Sequence, residues 1–446
     1  MSQIGFDDSL PQLVAILTSL AGRDFVETGT ALRDASGRLA FIADREPKDD
    51  VERETLSRAL IETLGSYARS DRPIRFRGDD GTETILMAPE RLPVQVGDGF
   101  CQLLDRRIVG AGWLDVPTQG HRDPPRVVFA TLKGGVGRST ALAVAAADLA
   151  RRNRNVLVVD LDLEAPGLGD LLLDAQRTPE FGAIDYLVEN GIGGVPDASL
   201  HAYIASSGLT AAGGGRVDVL PALGRRSLHH PENILPKLSR AMIEDIIGDR
   251  VVTVAEQISS MISRITSREQ YDAVFIDSRA GLSELAAPAV LGLGATVLMF
   301  GTAQKQTIEG YRALFAALQL LAQRDAVQGR DAEWRTMLRP VYAKASLDTS
   351  VSERYIDEIY ELYSAHIYDA EDSNENAPEL LRFARDDESA PHWPLIIPFS
   401  QNFIDFDPSR IPGQLTQSFY EQTYRAFLSG LETAMSSSKT TSGSQG

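Results

Sequence analysis

The amino-acid sequence predicts a doubly wound, mostly parallel α/β sheet over residues 126–435, preceded by a small α+β domain. The first observation is a series of short apolar, β-branched runs, namely RVVFATL, NVLVVDLDL, RVDVLPA, YDAVFIDS, ATVLMFGT, RTMLRPVYAKAS and WPLIIPFS. The second is that helical segments such as STALAVAAADLARRN lie between them. Continuous apolar strands that alternate with helices are typical of a parallel sheet covered on both faces. The third is a glycine-rich loop, KGGVGRST, between the first strand and the first helix.

Residues 1–117 are expected to form the separate α+β domain. SLPQLVAILTSLAG and VERETLSRALIETLGSYA have the periodicity of amphipathic helices, and TALRDASGRLAFIAD predicts a hairpin around Asp-Ala-Ser-Gly. ETILMAP and FCQLLDRRIVGAGWLD are interpreted as later strands or a strand–helix pair. No catalytic constellation is evident in this stretch of sequence, so we interpret it as an accessory or interaction domain.

The remaining boundaries follow from composition. The polar, proline-rich stretch 118–125 is interpreted as a linker. An acidic insertion is expected near residues 365–390, inside the α/β domain. The tail, 436–446, is rich in serine, threonine and glycine and is expected to be disordered.

Length, charge and cysteine count exclude several classes of protein. A chain of 446 residues is too long for one ordinary core. It has no apolar run of about 18 residues and no basic-then-apolar N-terminus, so we expect a cytoplasmic protein without a membrane span. Its single cysteine, Cys101, excludes an internal disulfide and a cysteine-bound iron–sulfur cluster within the chain. The net charge of −18 makes DNA an improbable partner without excluding a local basic patch.

The loop at residues 133–140 has the composition of a phosphate-binding loop. Its glycines let the backbone approach an anion closely, and the amides at the start of the following helix point towards that anion. The hydroxyl of Ser139 can bind Mg²⁺, and Thr140 can reach a further phosphate oxygen. The predicted nucleotide-binding residues are Lys133, Gly134, Gly135, Val136, Gly137, Arg138, Ser139 and Thr140.

Three motifs, in order, carry a resemblance to a known family. LKGGVGRST resembles the deviant phosphate-binding (Walker A) loop, KGGxGK[ST], of ParA/MinD-type P-loop ATPases of the SIMIBI class, in a variant with arginine in the loop. VVDLDLEAPGL (158–168) is similar to the first switch of that family, and YDAVFIDSRAGLSE (271–284) to its second nucleotide strand and second switch. The resemblance covers about residues 126–430 and leaves the N-terminal domain outside.

The resemblance implies ATP and Mg²⁺ as cofactors and a dimer that holds two ATP molecules between its protomers. Lys133 would reach across the interface to the partner's phosphates. Asp160 and Asp162 match the two acidic residues of the first switch, the second of which orients the attacking water. Asp277 matches the acidic residue that holds the water shell of the magnesium ion. The implied metal site comprises Ser139, Asp160 and Asp277, and the implied catalytic residues are Lys133, Asp162 and Arg138.

Arg138 is where the chain departs from the family pattern. Arginine keeps the charge of the usual lysine but is planar and bulkier, and it favours two-point contacts with oxyanions. Binding through the loop amides should survive this change. Phosphoryl transfer depends on positioning, so we expect slow ATP hydrolysis, with no hydrolysis as the alternative.

Three weaker signals remain open. Arg279, two residues after Asp277, is interpreted either as a γ-phosphate sensor or partner contact, or as a surface ion pair. His229 and His230 are interpreted as part of a surface loop rather than a metal site. YAKAS (342–346) lacks the asparagine often found in the late loop that contacts adenine, so GTP remains an alternative to ATP.

The leading functional hypothesis is a nucleotide-dependent dimerisation switch that regulates or recruits a partner protein, with a bacterial conflict or regulatory system as the setting. A nucleotide-bound scaffold that does not hydrolyse ATP is the alternative. A third reading is a ParA-like ATPase that positions DNA or cargo. The Ser/Thr/Gly tail lacks both the basic amphipathic helix of membrane-positioning relatives and the tyrosines of related kinases.

Overall fold

The computed structural model describes residues 4–120, 122–174, 176–209, 214–247, 250–369 and 380–440. The chain divides into two compact units. The first comprises Met1–Val116 and Ala317–Ala332, and the second comprises Pro117–Ala316 and Glu333–Gly446. The domain bounds expected from the sequence stay a prediction, and the division differs from them in two respects. Residues 317–332 group with the first unit, and the predicted linker 118–125 groups with the second.

The first unit contains a five-stranded mixed sheet and four helices in its N-terminal stretch. The helices are α1 (Phe6–Ala21), α2 (Arg23–Thr28), α3 (Asp50–Leu64) and α4 (Thr82–Leu86), and the strands are β1 (Thr30–Arg33), β2 (Leu39–Ala43), β3 (Ile74–Phe76), β4 (Leu92–Val96) and β5 (Gly99–Asp105). The strand order is β3-β2-β1-β5-β4. β1 and β2 form the expected antiparallel hairpin, whereas ETILMAP contributes the helix α4. Apolar side chains of α1 and α3 pack with those of the sheet into one core, which also buries Cys101.

The second unit is built on an eight-stranded sheet. Its strands are β6 (Arg126–Thr131), β7 (Val156–Asp160), β8 (Ala205–Ser206), β9 (Val217–Leu220), β12 (Ala273–Ala280), β13 (Thr296–Gly301), β14 (Leu338–Ala345) and β15 (Leu395–Pro398), and β10 (Asp245–Ile247) and β11 (Arg250–Val252) form a separate hairpin. The order is β15-β14-β13-β6-β12-β7-β9-β8. All neighbouring pairs are parallel except β8 with β9. This is the doubly wound, mostly parallel sheet that the apolar runs predict.

Helices accompany the strands of this sheet. They are α5 (Arg138–Arg151), α6 (Leu168–Leu172), α7 (Ala183–Ile192), α8 (Arg225–His229), α9 (Ile234–Ala241), α10 (Val254–Thr266), α11 (Ala286–Leu291), α12 (Lys305–Val327), α13 (Thr349–His366) and α14 (Gln417–Thr440). The alanine-rich α5 is buried along most of its length, because small side chains let a helix lie close to its neighbours. Among the described residues, no helix combines the length and apolar composition that crossing a membrane requires.

Two expectations concern the C-terminal part of the chain. Residues 370–379 of the acidic insertion lie outside the described residues. Helix α14 continues to Thr440, where we expected a disordered tail from residue 436, and residues 441–446 lie outside the described part.

Candidate functional site

The glycine-rich loop lies at the carboxyl edge of the sheet, between β6 and the N-terminus of α5. β6 lies beside β12, and β12 beside β7, so the residues that follow these three strands meet at one edge. Gly135 and Gly137 have φ angles of +77° and +92°, which favour glycine. A Cβ atom built on Gly134, Gly135 or Gly137 would meet no heavy atom within 4 Å. The loop therefore presents an open backbone face beside a helix N-terminus, which suits an anion.

Ser139 and Asp277 form the contact on the inner side of this loop. Ser139 Oγ donates a hydrogen bond of 2.7 Å to Asp277 Oδ2. The other carboxylate oxygen, Asp277 Oδ1, is buried and accepts no hydrogen bond. Hydroxyl and carboxylate oxygens are the kinds of ligand that Mg²⁺ prefers. The donor set at this position therefore fits a magnesium ion held together with nucleotide phosphates.

Arg138 turns inward, towards these carboxylates, and only 8% of its surface is exposed. Its Nη2 donates to Asp162 Oδ2 at 3.0 Å, and its Nη1 donates to the carbonyl oxygen of Ser278. Its Nε lies 2.5 Å from Asp277 Oδ1, as an ion pair without hydrogen-bond geometry. The guanidinium thus joins the first switch to the strand that carries the second.

Arg279 completes the cluster from the second switch. Its Nη1 lies 3.3 Å from Asp162 Oδ1, and its Nη2 lies 2.8 Å from Glu164 Oε2. Two arginines therefore hold the carboxylate of Asp162, which is 5% exposed. Of the two interpretations of Arg279, the ion pair is the one present in this structure, and both of its partners lie in the first switch.

Asp160 is fully buried at the end of β7. Its two carboxylate oxygens accept hydrogen bonds from the backbone N–H groups of Asp162 (3.0 Å) and Leu168 (3.2 Å). Burial raises the pKa of Asp160 well above that of an ordinary aspartate, and repulsion by Asp277 raises it further. Both oxygens of Asp160 thus contact backbone N–H groups of the first switch, and its place in the metal site stays a prediction.

The remaining loop residues take distinct positions. Lys133 is exposed, and its Nζ donates a hydrogen bond of 3.1 Å to Gln304 Oε1 just before α12. Val136 is buried, and Thr140 faces a cavity beside the loop. His229, the last residue of α8, and His230, which follows it, are exposed, so they lie at the end of a helix and not in the predicted loop. No cluster of three His, Cys, Asp or Glu side chains suited to a metal occurs in the part of the chain that the structure describes.

The cavity beside the loop has a volume of about 280 Å³. Its lining residues are Gly135, Val136, Gly137, Thr140, Lys344, Ile397, Pro398, Phe399, Ser400, Phe403, Ile404, Thr423 and Tyr424. Seven of the thirteen are apolar or aromatic, and eight come from the end of β15 or the residues after it, so the cavity offers a partly apolar space next to the loop amides. Sequence reasoning missed these residues, because WPLIIPFS indicated a strand and gave no sign that the residues after it face the loop.

Comparisons with known proteins agree with this geometry. Residues 127–342 match the family model described as the CobQ/CobB/MinD/ParA nucleotide binding domain. No curated protein matches the chain significantly.

Several solved structures are similar to the chain. The MinD cell division protein of Aquifex aeolicus is 16% identical, with 69% of this chain and 97% of that chain covered and a TM-score of 0.41. A ParA family ATPase from Chlorobium tepidum TLS is also 16% identical, with coverages of 71% and 99% and a TM-score of 0.41. The pNOB8 ParA bound to nonspecific DNA is 13% identical, with coverages of 70% and 98% and a TM-score of 0.40.

The motifs, the topology of the sheet and the family match all concern the same stretch of sequence. The loop, both switches and most strands of the large sheet lie within the matched residues, whereas β15 follows them in the chain. Over residues 127–342 the chain is thus similar to the CobQ/CobB/MinD/ParA nucleotide binding domain.

Proposed function

We propose that the protein binds Mg·ATP at this loop and acts as a nucleotide-dependent dimerisation switch that hydrolyses ATP slowly. The observation that carries the proposal is the open backbone face of the loop, with a carboxylate cluster on one side and an apolar cavity on the other. The loop amides suit the phosphates, and the aromatic cavity suits a base. Ser139 and Asp277 suit the magnesium ion, which would neutralise charge on the phosphates when bound.

We expect hydrolysis to be slow because of the contacts that the carboxylate of Asp162 makes. The family resemblance gives this residue the task of orienting the attacking water, but its carboxylate is held by Arg138 and Arg279. Both contacts must loosen before the carboxylate can accept a hydrogen bond from a water. Because Arg138 is buried with its partners, loosening requires partial solvation of an ion pair, which costs free energy. Reaching the γ-phosphate would give the guanidinium a replacement anion.

The dimerisation step rests on Lys133. Its side chain is exposed at the outer end of the loop, and one hydrogen bond, to neutral Gln304, restrains it. An exposed lysine with a neutral partner can reach the phosphates of a second protomer at little cost. ATP between two protomers would then create a surface that a partner protein reads.

The proposal is tested by measuring the solution mass with light scattering without nucleotide, with Mg·ADP and with Mg·ATP. We expect the mass to double only with Mg·ATP. Lys133→Ala should abolish the doubling while Mg·ATP still binds, and Lys305→Ala, an exposed lysine at the start of α12, should behave as wild type.

Each other outcome has a defined meaning. A protein that binds no nucleotide contradicts the proposal entirely. A protein that binds Mg·ATP with an unchanged mass contradicts the switch and leaves the scaffold, and salt-sensitive DNA binding would instead support a positioning ATPase.

A further inference from the structure

Lys344 is a cation of the cavity that neither the loop pattern nor the switches account for. It lies in β14, next to β13 and β15. Of the described residues that line the cavity, it is the only one with a charged side chain. Its Nζ donates a hydrogen bond of 2.7 Å to the carbonyl oxygen of Gly135, in the middle of the phosphate-binding loop.

The backbone at Lys344 is arranged to aim the side chain at the loop. The pairing of β14 with β15 shifts register between Ala343 and Ala345, so Lys344 is the extra residue of a bulge. Its φ angle is +52°, a left-handed conformation that is uncommon for residues other than glycine, asparagine and aspartate. Bulges re-aim side chains near functional sites, and left-handed backbone is retained where the surroundings require it.

The electrostatics of the loop leave a role for this lysine. Arg138, at the position of the usual phosphate-binding lysine, is committed to Asp162, Asp277 and the carbonyl of Ser278. Among the described residues, no carboxylate lies within ion-pair distance of Lys344. Its ammonium group has three N–H donors, and one of them donates to the carbonyl oxygen of Gly135. Two N–H donors therefore remain for an anion at the open face of the loop.

We propose that Lys344 is the phosphate-binding lysine of this site. From β14 it supplies the positive charge for phosphate, because the side chain of Arg138 points inward towards Asp162 and Asp277. The inference rests on the nucleotide-binding function proposed above and adds a specific residue to it. The ligand that Lys344 recognises is the polyphosphate of a nucleoside di- or triphosphate, and the apolar cavity holds the base.

The test is the affinity of the full chain and its Lys344→Asn variant for Mg·ATP, Mg·ADP and adenosine, measured by calorimetry or by competition. Asparagine tolerates the left-handed conformation, so the bulge should persist and the melting temperature should stay close to that of wild type. We expect the dissociation constants of ATP and ADP to rise by about tenfold or more, as for the loss of a charge-assisted hydrogen bond. Adenosine, which has no phosphate, should bind as before.

Two further variants sharpen the result. Lys344→Arg should restore most of the affinity, because it returns the charge. Lys48→Asn, which makes the same change of net charge on the exposed surface of the first unit, should leave all three affinities unchanged.

The outcomes separate the two proposals. Wild-type protein that binds no nucleotide overturns both. Wild-type protein that binds Mg·ATP, together with a Lys344→Asn variant of equal affinity, overturns only the role of Lys344. An equal loss for adenosine and ATP also overturns it, since Lys344 would then shape the cavity rather than bind phosphate.

Discussion

Arg138 joins residues of the two switches through its side chain. Its three guanidinium nitrogens contact three different groups, the carboxylates of Asp162 and Asp277 and the carbonyl of Ser278. The single ammonium of a lysine could not span these positions at once. Arg138 therefore ties the carboxylate of Asp162, in the first switch, to the strand that carries the second switch.

Replacing Arg138 with lysine should loosen this cluster. We expect Arg138→Lys to lower the free energy of unfolding without nucleotide by about 1–3 kcal/mol, as for a charge-assisted hydrogen bond lost from a buried carboxylate. We expect ATP turnover to rise by roughly tenfold, about 1.4 kcal/mol of activation free energy, because Asp162 becomes free to orient water. Urea unfolding and phosphate release measure the two effects.

The matched control is Arg410→Lys, at a side chain that is 85% exposed and paired with Asp407. It should change stability by less than about 0.5 kcal/mol and leave turnover unchanged. If Arg138→Lys behaves as this control does, the ion pairs of Arg138 have no part in holding the switch.

At the scale of elements, the register of the central strands sets the charge balance of the site. β7 and β12 run in parallel with Asp160 directly opposite Asp277. Both carboxyl groups are buried, and burial raises the pKa of each, although Arg138 and the Ser139 hydroxyl oppose the rise at Asp277. Two neighbouring buried carboxylates are costly to ionise together, so protonation of Asp160 stabilises the nucleotide-free fold.

The unfolding free energy should therefore depend on pH through Asp160. Its folded pKa lies above the unfolded value of about 3.9, so the folded state binds more protons and loses stability as pH rises towards the folded pKa. Asp160→Asn removes this dependence. The free energy of unfolding of the variant should therefore rise relative to that of wild type between about pH 5 and pH 8. Urea unfolding at about pH 5 and pH 8 measures this difference, and Asp170→Asn, at an exposed side chain, is the control. A stability difference that is the same at both pH values would contradict the raised pKa.

Much of this element-level organisation could be predicted from the sequence. The long apolar runs form β6, β7, β9 and β12 to β15. All but one of these strands are buried along most of their length and so lack polar alternation, whereas the edge strand β15 is half-buried. β8, β10 and β11 have two or three residues each, too few to give a periodic signal. The bulge at Lys344 arises from pairing with β15, and the inward turn of Arg138 from its contacts with Asp162 and Asp277. These partners are distant in sequence, so local sequence predicts neither feature.

At the scale of the whole molecule, the first unit combines two separate stretches of chain. Arg324, in the last turns of α12, is wholly buried within that unit. Its Nη1 and Nη2 donate to the carbonyl oxygens of Leu114 (2.6 Å) and Asp115 (2.9 Å), and Gln328 Nε2 donates to that of Pro89 (2.9 Å). The sequence could not reveal this grouping, because residues 317–327 continue the periodicity of a helix that begins at Lys305.

Arg324 should therefore stabilise the first unit, although it lies about two hundred residues after it in the chain. Arg324→Met removes both donors and leaves two backbone carbonyls without these partners, so we expect the free energy of unfolding to fall by about 2–4 kcal/mol. In a Trp334→Phe, Trp393→Phe background, the fluorescence of Trp113 reports on the first unit alone, because Trp113 is then the sole tryptophan. Arg312→Met, at a side chain of the same helix that is 56% exposed, should leave the Trp113 transition within about 0.5 kcal/mol. If the Trp113 transition is the same in Arg324→Met as in this control, residues 1–116 are stable without residues 317–332, and the unit is continuous in sequence after all.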